Sequence, residues 1–201
     1  MSPRKQTGRN ASLRIISGRW RGRRIAVPAD GIRPTGDRVR ETLFNWLAPY
    51  LPDARCLDLF AGSGVLGIEA LSRGAPYTLF VEKNRVAAGA IREVLAKFAG
   101  DGPAPDAEVL IHNALQVNLA ASGPFSIVFL DPPFDGPPLE DLCTLLQRPG
   151  VLQPTALIYM EMDRRNAPPQ LPRNWEVIRD QTAGQVRFAL IRVNDGAATK
   201  E

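Results

Sequence analysis

From Arg55 onward, the spacing of apolar residues along the chain changes period in a regular alternation. Short continuous apolar runs, typical of strands buried on both faces of a parallel sheet, alternate with stretches whose apolar residues recur every three to four positions, as on one face of a helix. This order predicts a doubly wound α/β fold with a mostly parallel sheet. The predicted strands are RCLDLF, TLFVE, EVLIH, SIVFLD and ALIYMEM, and the predicted helices are GVLGIEALSR, RVAAGAIREVLAKF and LEDLCTLLQR.

Two segments near the carboxyl terminus depart from this alternation. WEVIRDQT and QVRFALIRV both have the composition of strands and are joined by a short Ala-Gly turn, so they predict an antiparallel pair at the far edge of the sheet. Together with the five earlier strands, they predict a seven-stranded sheet that is mostly parallel, with an antiparallel last strand.

The amino-terminal segment has a different pattern. Two short β-like runs joined by GRWRG predict a small β-hairpin, and apolar residues at helical spacing predict a helix after Pro34, with Thr35 or Asp37 as its cap. We therefore expect four parts along the chain. They are a disordered basic arm over residues 1–12, a hairpin and helix extension over 13–52, a main domain over 53–193, and a flexible tail over 194–201.

The net charge of +4 is unevenly distributed. Residues 1–40 carry eleven Lys or Arg against two acidic residues, a balance of +9, whereas residues 41–201 have a balance of −5. Ten of those eleven are Arg, which makes forked contacts to phosphate, and Trp20 lies among them as a possible stacking surface. Nucleic acid is therefore the expected partner, and this pattern does not separate RNA from DNA.

Composition makes several other classes of protein hard to build. The two cysteines form no CxxC pair, and the single histidine, His112, makes a zinc site or a His-based acid and base system difficult to assemble. No apolar signal core follows the basic amino terminus, and no apolar run approaches the ~20 residues of a membrane span. We expect a soluble cytoplasmic protein that needs no metal.

The run FSIVFLDPPF over residues 125–134 ends an apolar strand on a carboxylate, two prolines and an aromatic ring. The carboxyl edge of an open α/β sheet is where ligands bind, and the prolines stop the hydrogen-bond ladder and stiffen the chain that follows. The pattern therefore predicts that Asp131 is displayed at a binding edge. The alternative interpretation is a plain tight turn in which Phe134 caps the core.

A second informative run, DLFAGSGVLGIEA, covers residues 58–70. Glycines from Gly62 to Gly67 spell GxGxxG at a strand-to-helix turn, and Glu82 ends the next strand. This pattern also fits a nicotinamide dinucleotide fold, in which the glycines admit a pyrophosphate. Asp58, four residues before the first glycine, would repel a pyrophosphate and suits a cationic ligand. S-adenosylmethionine (AdoMet) has an ammonium group, a sulfonium group and a ribose, and no phosphate.

Taken together, D-x-F-x-G-x-G, an acid after the second strand and D-P-P-F resemble a class I AdoMet-dependent methyltransferase with a Rossmann-like fold that acts on an exocyclic amine. The resemblance implies that Asp131 and the Pro132 carbonyl accept the amine hydrogens, while Phe134 stacks on the base. The implied catalytic set is Asp131, Pro132, Pro133 and Phe134. The implied cofactor-binding set is Asp58, Phe60, Ala61, Gly62, Gly64, Glu82, Lys83, Asn113, Ala114 and Asp131.

A closer resemblance runs from Leu13 to about Val193. RIISGRWRGRRIAVP, the RPTxDRVRE block and the late AGQV are similar to the bacterial RsmD-type family, which methylates N2 of one guanine in 16S ribosomal RNA. It implies that the partner is 16S rRNA in an assembled or assembling small ribosomal subunit. We expect a monomer, because the predicted helical faces all pack on one sheet. Asn84 departs from the family pattern, where an acid often stands. The implied RNA-binding set is Arg19, Trp20, Arg21, Arg23, Arg24, Arg33, Thr35, Arg38 and Arg40.

Three other functions stay open from the site motifs alone. A DNA adenine-N6 methyltransferase would use the same DPPF chemistry, although so short a chain leaves little room for a separate DNA-reading domain. A non-enzymatic RNA-binding assembly factor would need only the basic segment, and would leave DPPF without a role. A nicotinamide-dependent enzyme would have the glycine pattern but no proton relay near it.

Overall fold

The computed structural model describes residues 12–27, 36–100, 102–133 and 135–194. Two short 3₁₀ turns, Leu51–Asp53 and Leu119–Ala121, connect longer elements. The strands are β1 (Ser12–Arg14), β2 (Arg24–Ala26), β3 (Arg55–Asp58), β4 (Tyr77–Glu82), β5 (Asp106–Ile111), β6 (Phe125–Leu130), β7 (Leu152–Asp163), β8 (Trp175–Ala183) and β9 (Val186–Val193). The helices are α1 (Asp37–Leu47), α2 (Val65–Ser72), α3 (Arg85–Ala99) and α4 (Leu139–Leu146).

Seven of these strands form one sheet in the order β5-β4-β3-β6-β7-β9-β8, and β1 and β2 form a separate antiparallel pair. Neighbouring strands from β5 to β7 are parallel, whereas β9 is antiparallel to both β7 and β8. The predicted mostly parallel sheet with an antiparallel last strand is confirmed. That strand lies one place in from the edge, because the β8–β9 hairpin folds β9 back against β7.

Helices cover both faces of the sheet. Residues of α1, α2 and α3 pack on one face against alternate strand side chains such as Phe129 and Tyr159, and we call this the α1–α3 face. Residues of α4 pack on the opposite face against Val128 and Ile158. Side chains of a strand alternate between the two faces, so the parity of a residue decides which layer it enters. No helix in the described ranges is long and apolar enough to cross a membrane.

A side-chain cap in the local sequence explains where α3 begins. The Asn84 side chain accepts hydrogen bonds from the backbone N–H groups of Val86 and Ala87 and so caps α3. The prediction that Asp37 caps α1 is wrong. The N-cap residue is Gly36, which has no side chain to accept a capping hydrogen bond. Asp37 is instead the first helical residue. Thr35, the other predicted cap, lies outside the described residues.

The turn between β1 and β2 is anchored on α2. Backbone N–H groups of Ile16 and Ser17 donate to the two oxygens of the buried Glu69 carboxylate, at 2.8 and 2.9 Å. The Ser72 hydroxyl accepts from the Trp20 N–H at 3.0 Å and donates to the Ser17 carbonyl at 2.6 Å. Because the amino end of α2 lies at the carboxyl edge of the sheet, these contacts hold the turn roughly 6 to 10 Å along the helix from that edge.

Replacing Glu69 with Gln is expected to lower the free energy of unfolding by about 3 kcal/mol. The carboxylate pairs with Arg73 at 2.7 Å and lies 3.6 Å from the Arg40 guanidinium, so a neutral amide removes the negative charge that faces both guanidinium groups. Urea unfolding of the full chain measures the change. Glu93→Gln removes an exposed carboxylate from α3 and serves as the control. Equal midpoints for the two variants would contradict an anchoring role.

Candidate active site

Four carboxylates stand side by side at the carboxyl edge of the sheet. Glu82 ends β4, Asp58 ends β3, Asp131 follows β6 and Glu161 lies near the end of β7, and these strands are neighbours in that order. Each carboxylate lies two positions beyond a residue that packs on the α1–α3 face, so by strand alternation all four project to that face. Those four preceding residues are Phe80, Cys56, Phe129 and Tyr159.

A cavity of about 830 Å³ opens above these carboxylates. It is lined by the glycine turn after β3, by the ends of β4, β5, β6 and β7, by the β8–β9 turn and by the first turn of α1. The predicted cofactor residues all line it except Gly64, which caps α2 from a left-handed backbone conformation (φ 73°). Pro132 and Pro133 also line it, and Phe134 lies outside the described residues.

Two carboxylates accept hydrogen bonds from backbone N–H groups at the glycine turn and at the start of α2. The Gly62 N–H donates to Glu82 at 2.8 Å, and the Gly67 N–H donates to Asp58 at 3.0 Å. A pyrophosphate would need such N–H groups and would meet two negative charges instead. Gly67 also allows close packing, because a Cβ there would come within 2.3 Å of the Phe80 ring. The site therefore favours a cationic ligand over a dinucleotide.

Burial gives Asp58 an unusual ionisation. Loss of solvation raises the pKa of its carboxyl from 3.8 to about 7; the Gly67 hydrogen bond opposes this rise, and the nearby Glu82 adds to it. The buried acid therefore holds its proton more tightly than an exposed one would. A cation placed beside it would favour the carboxylate form and lower its pKa.

The β4–β5 end of the cavity carries polar and small groups. Asn113 and Ala114, which were predicted to meet the adenine edge, follow β5 and line the cavity beside Glu82. The Asn113 side-chain oxygen accepts from the Leu115 N–H at 3.0 Å, which fixes the turn. His112 lines the same end, where its ring nitrogen lies 3.2 Å from the Asn113 carbonyl. This end therefore provides backbone and amide groups suited to a planar heterocycle.

The β6–β7 end of the cavity contains a residue that the sequence interpretation missed. Glu161 is 7% exposed, lines the cavity and accepts a hydrogen bond from the Tyr159 hydroxyl at 2.7 Å. The sequence feature that could have identified Glu161 is its acidic side chain within the apolar run ALIYMEM, at the carboxyl end of a predicted central strand. Its position beside Asp131 depends on the register of β6 and β7, which no local pattern reveals.

Two of the predicted RNA contacts are buried. Trp20 is 2% exposed and packs 5.0 Å from Phe98, measured between ring centroids. Arg40 is fully buried and donates to the Arg14 carbonyl at 3.0 and 3.1 Å and to Asp37 at 2.7 Å. Contrary to the prediction, neither side chain is available to RNA, because Trp20 packs against α3 and Arg40 lies between β1 and α2.

The other described arginines of the set differ in location. Arg38 is exposed and lines the mouth of the cavity, whereas Arg19, Arg21 and Arg24 are exposed on the hairpin. Arg23 is half-buried over the Phe98 ring at 4.8 Å. A single arginine of the described set is therefore next to the cavity, and the hairpin arginines form a separate basic surface. Arg33 and Thr35 lie outside the described residues.

Comparison with known proteins identifies similar chains of nearly the same length. The family model described as Conserved hypothetical protein 95 matches residues 13–192. The Escherichia coli protein named Ribosomal RNA small subunit methyltransferase D is 47% identical over 182 residues, covering 90% of each chain. The Haemophilus influenzae protein of the same name is 42% identical, covering 89% of this chain and 92% of its own. A solved Escherichia coli structure described as a methyltransferase superposes with a TM-score of 0.80 at 44% identity, covering 92% and 99%.

Proposed function

We propose that this chain, which belongs to the Conserved hypothetical protein 95 family of RsmD-type methyltransferases, transfers a methyl group from AdoMet to N2 of a guanine in 16S ribosomal RNA. The observation that carries the proposal is the cavity in which Asp131 and Pro132, at the end of β6, share one wall with the carboxylates of β3 and β4. An amine acceptor and a cation site are thus adjacent. The full-length similarity to two proteins named as ribosomal RNA small subunit methyltransferases supports the choice of substrate.

The residues of the cavity fit AdoMet. Its ammonium and sulfonium charges suit Asp58, its ribose hydroxyls suit Glu82, and its adenine suits the Asn113 and Ala114 end of the cavity. It has no phosphate, which agrees with the occupied N–H groups of the glycine turn. When bound, AdoMet supplies an electrophilic methyl group on a positively charged sulfur.

The chain contributes position and electrostatics. An amine conjugated to a purine ring is a poor nucleophile, because its lone pair is delocalised into the ring. The Asp131 carboxylate and the Pro132 carbonyl accept its two hydrogens, which raises electron density on nitrogen and fixes its direction. The two prolines keep these acceptors rigid. The guanine must leave its RNA stack to reach the cavity, as bases modified by enzymes generally do.

The substrate is expected to be the assembled or assembling small subunit, acted on in the cytoplasm by a monomer. The exposed hairpin arginines and Arg38 lie on different parts of the surface, so they suit a large, folded RNA with several phosphate strands. A short single strand would reach only one of them.

Transfer of labelled methyl from AdoMet by the purified protein tests the proposal. Small subunits lacking the modification, naked 16S rRNA and duplex DNA are offered in parallel, and the labelled nucleoside is identified. N2-methylguanosine in subunit RNA is expected. Label in DNA as N6-methyladenine would replace the proposal with the adenine alternative, and no transfer despite bound AdoMet would favour an assembly factor.

Replacing Arg38 with Gln is expected to weaken subunit binding and to lower the slope of log affinity against log salt by about 0.7 to 0.9. The reason is the loss of one phosphate contact at the mouth of the cavity. The same slope measured for Arg21→Gln shows whether the hairpin surface also contacts phosphate. Arg148→Gln, at the carboxyl end of α4 on the opposite face, is the control and should leave the slope unchanged. A slope equal to wild type for Arg38→Gln would remove that residue from the RNA contacts.

A further inference from the structure

Asp131 and Glu161 occupy equivalent positions on adjacent parallel strands. Leu130 of β6 pairs with Met160 of β7, so the next residue of each chain segment, Asp131 and Glu161, follows at the same level. Neighbouring strands lie ~4.8 Å apart, and residues of equal register project to the same face. Both residues line the cavity at the end away from β4 and β5. The proposed amine acceptor therefore has a second carboxylate beside it.

Tyr159 gives this second carboxylate a defined orientation. Its buried hydroxyl donates to Oε2 of Glu161 at 2.7 Å. Burial, followed by the negative charges of Glu161 and Asp131, raises the pKa of Tyr159 well above its ordinary value. The hydroxyl thus stays protonated at working pH and remains a donor to Glu161. A carboxylate accepts several hydrogen bonds, so Glu161 can accept from a donor in the cavity as well as from Tyr159.

We infer that Glu161 reads the ring N1–H of the target base and thereby restricts transfer to guanine N2. The inference rests on the proposed function, because it concerns the base whose amine Asp131 holds. In guanine the N1–H lies next to the N2 amine on the same edge of the ring. Two carboxylates on adjacent strands can therefore accept from both groups at once.

The same geometry rejects the other bases that carry an exocyclic amine. In adenine the ring atom beside the N6 amine is N1, and in cytosine the atom beside the N4 amine is N3. Both atoms are acceptors, so their lone pairs would face the Glu161 carboxylate with no hydrogen between them. Discrimination of this kind is strong, because the wrong base sets a ring lone pair against a buried carboxylate where guanine makes a hydrogen bond. Glu161 thus gives a physical reason why the site selects guanine, whereas the DPPF motif alone is compatible with adenine as well.

The wild-type protein provides the first test. 2-Aminopurine keeps the N2 amine of guanine but has an acceptor at N1, so it is placed at the mapped target position in reconstituted small subunits. Wild-type protein is expected to methylate guanine at least about 10²-fold more efficiently, by kcat/KM, than 2-aminopurine. Comparable rates on the two bases would overturn the inference without needing any variant.

Glu161→Gln is the second test. The Tyr159 hydroxyl requires an acceptor, so it holds the amide oxygen and directs the amide NH₂ toward the base. That group donates to the N1 lone pair of 2-aminopurine and clashes with the N1–H of guanine. The ratio of guanine to 2-aminopurine kcat/KM is expected to fall at least about tenfold, with AdoMet affinity unchanged. A structural defect would lower both rates together and leave the ratio unmoved, which would count against the inference.

Two further variants complete the design. Tyr159→Phe combined with Glu161→Gln removes the hydroxyl that holds the amide oxygen, so activity on guanine should recover in part relative to Glu161→Gln alone. Glu176→Gln, an exposed site on β8, is the control for loss of one carboxylate and should keep the wild-type ratio. If wild-type protein methylates no guanine in subunits, the proposed function fails. If it methylates guanine and 2-aminopurine alike, only the role of Glu161 fails.

Discussion

Replacing Asp131 with Ala is expected to lower kcat for methyl transfer by about 10³-fold, while the dissociation constant of AdoMet changes by less than about twofold. The carboxylate stands at the end of β6, between the proposed cofactor-binding carboxylates of β3 and β4 and Glu161 of β7. Its removal takes away one acceptor of the target amine, and a methyl side chain offers no replacement. Single-turnover transfer to unmodified subunits and calorimetric titration with AdoMet measure the two quantities separately.

Asp131→Asn is the matched variant for this prediction. Its amide oxygen still accepts an N–H from the amine, so its kcat should stay within about tenfold of wild type, well above that of the Ala variant. Equal losses in Asn and Ala would show that the negative charge matters and the acceptor does not. A parallel loss of AdoMet affinity in the Ala variant would assign Asp131 to the cofactor rather than to the substrate.

Replacing Asp58 with Asn is expected to stabilise the protein at pH 8 and to weaken AdoMet binding. The folded-state pKa of Asp58 is about 7, compared with an ordinary 3.8, so the folded state holds a proton that the unfolded state loses. Stability from this group therefore falls as pH rises from about 4 to about 7, and its full cost is present above pH 7. The difference corresponds to at most about 4 kcal/mol at pH 8, which the neutral Asn avoids.

Urea unfolding at pH 5 and pH 8 checks the stability arm of this prediction. The Asn variant should exceed wild type by much more at pH 8 than at pH 5, whereas Asp53→Asn, at an exposed position, should differ little at either pH. A uniform gain at both pH values would mean that ionisation of Asp58 is not the cause.

The binding arm has the opposite sign. A cation favours the ionised carboxylate, so the affinity of wild-type protein for AdoMet should rise from pH 5.5 to about 7 and then level off. The Asn variant should bind more weakly and lose this rise. If both proteins show the same pH profile, the cation does not lie beside Asp58. If both results are obtained, the ionised Asp58 carboxylate lowers the stability of the folded protein and strengthens the binding of AdoMet.

Much of the fold follows from local pattern. Apolar runs and helical spacing located the strands and helices of the main domain to within a few residues, because a strand buried on both faces and an amphipathic helix each impose their own period. The antiparallel last strand followed from a short Ala-Gly turn, which can only reverse the chain. The positions of DPPF and of the glycine turn could also be predicted, because each directly follows an apolar strand pattern in the sequence.

Other features depended on contacts between residues far apart in the chain. Arg40 and Trp20 are residue types typical of an RNA-binding surface, yet they pack against Glu69 and Phe98, which are distant in the sequence. Charge alone therefore overestimated the RNA-binding set.

The site divides in the same way. Asp58, Glu82 and Asp131 could be assigned from their places after predicted strands, whereas Glu161 became part of the site only through the register of β6 with β7. The raised pKa of Asp58 likewise comes from the layers that bury it. Strand and helix patterns are local because the backbone repeats over two or 3.6 residues. Register, burial and ionisation are set by packing between distant segments, and they decide which of the acids in this chain face the cavity.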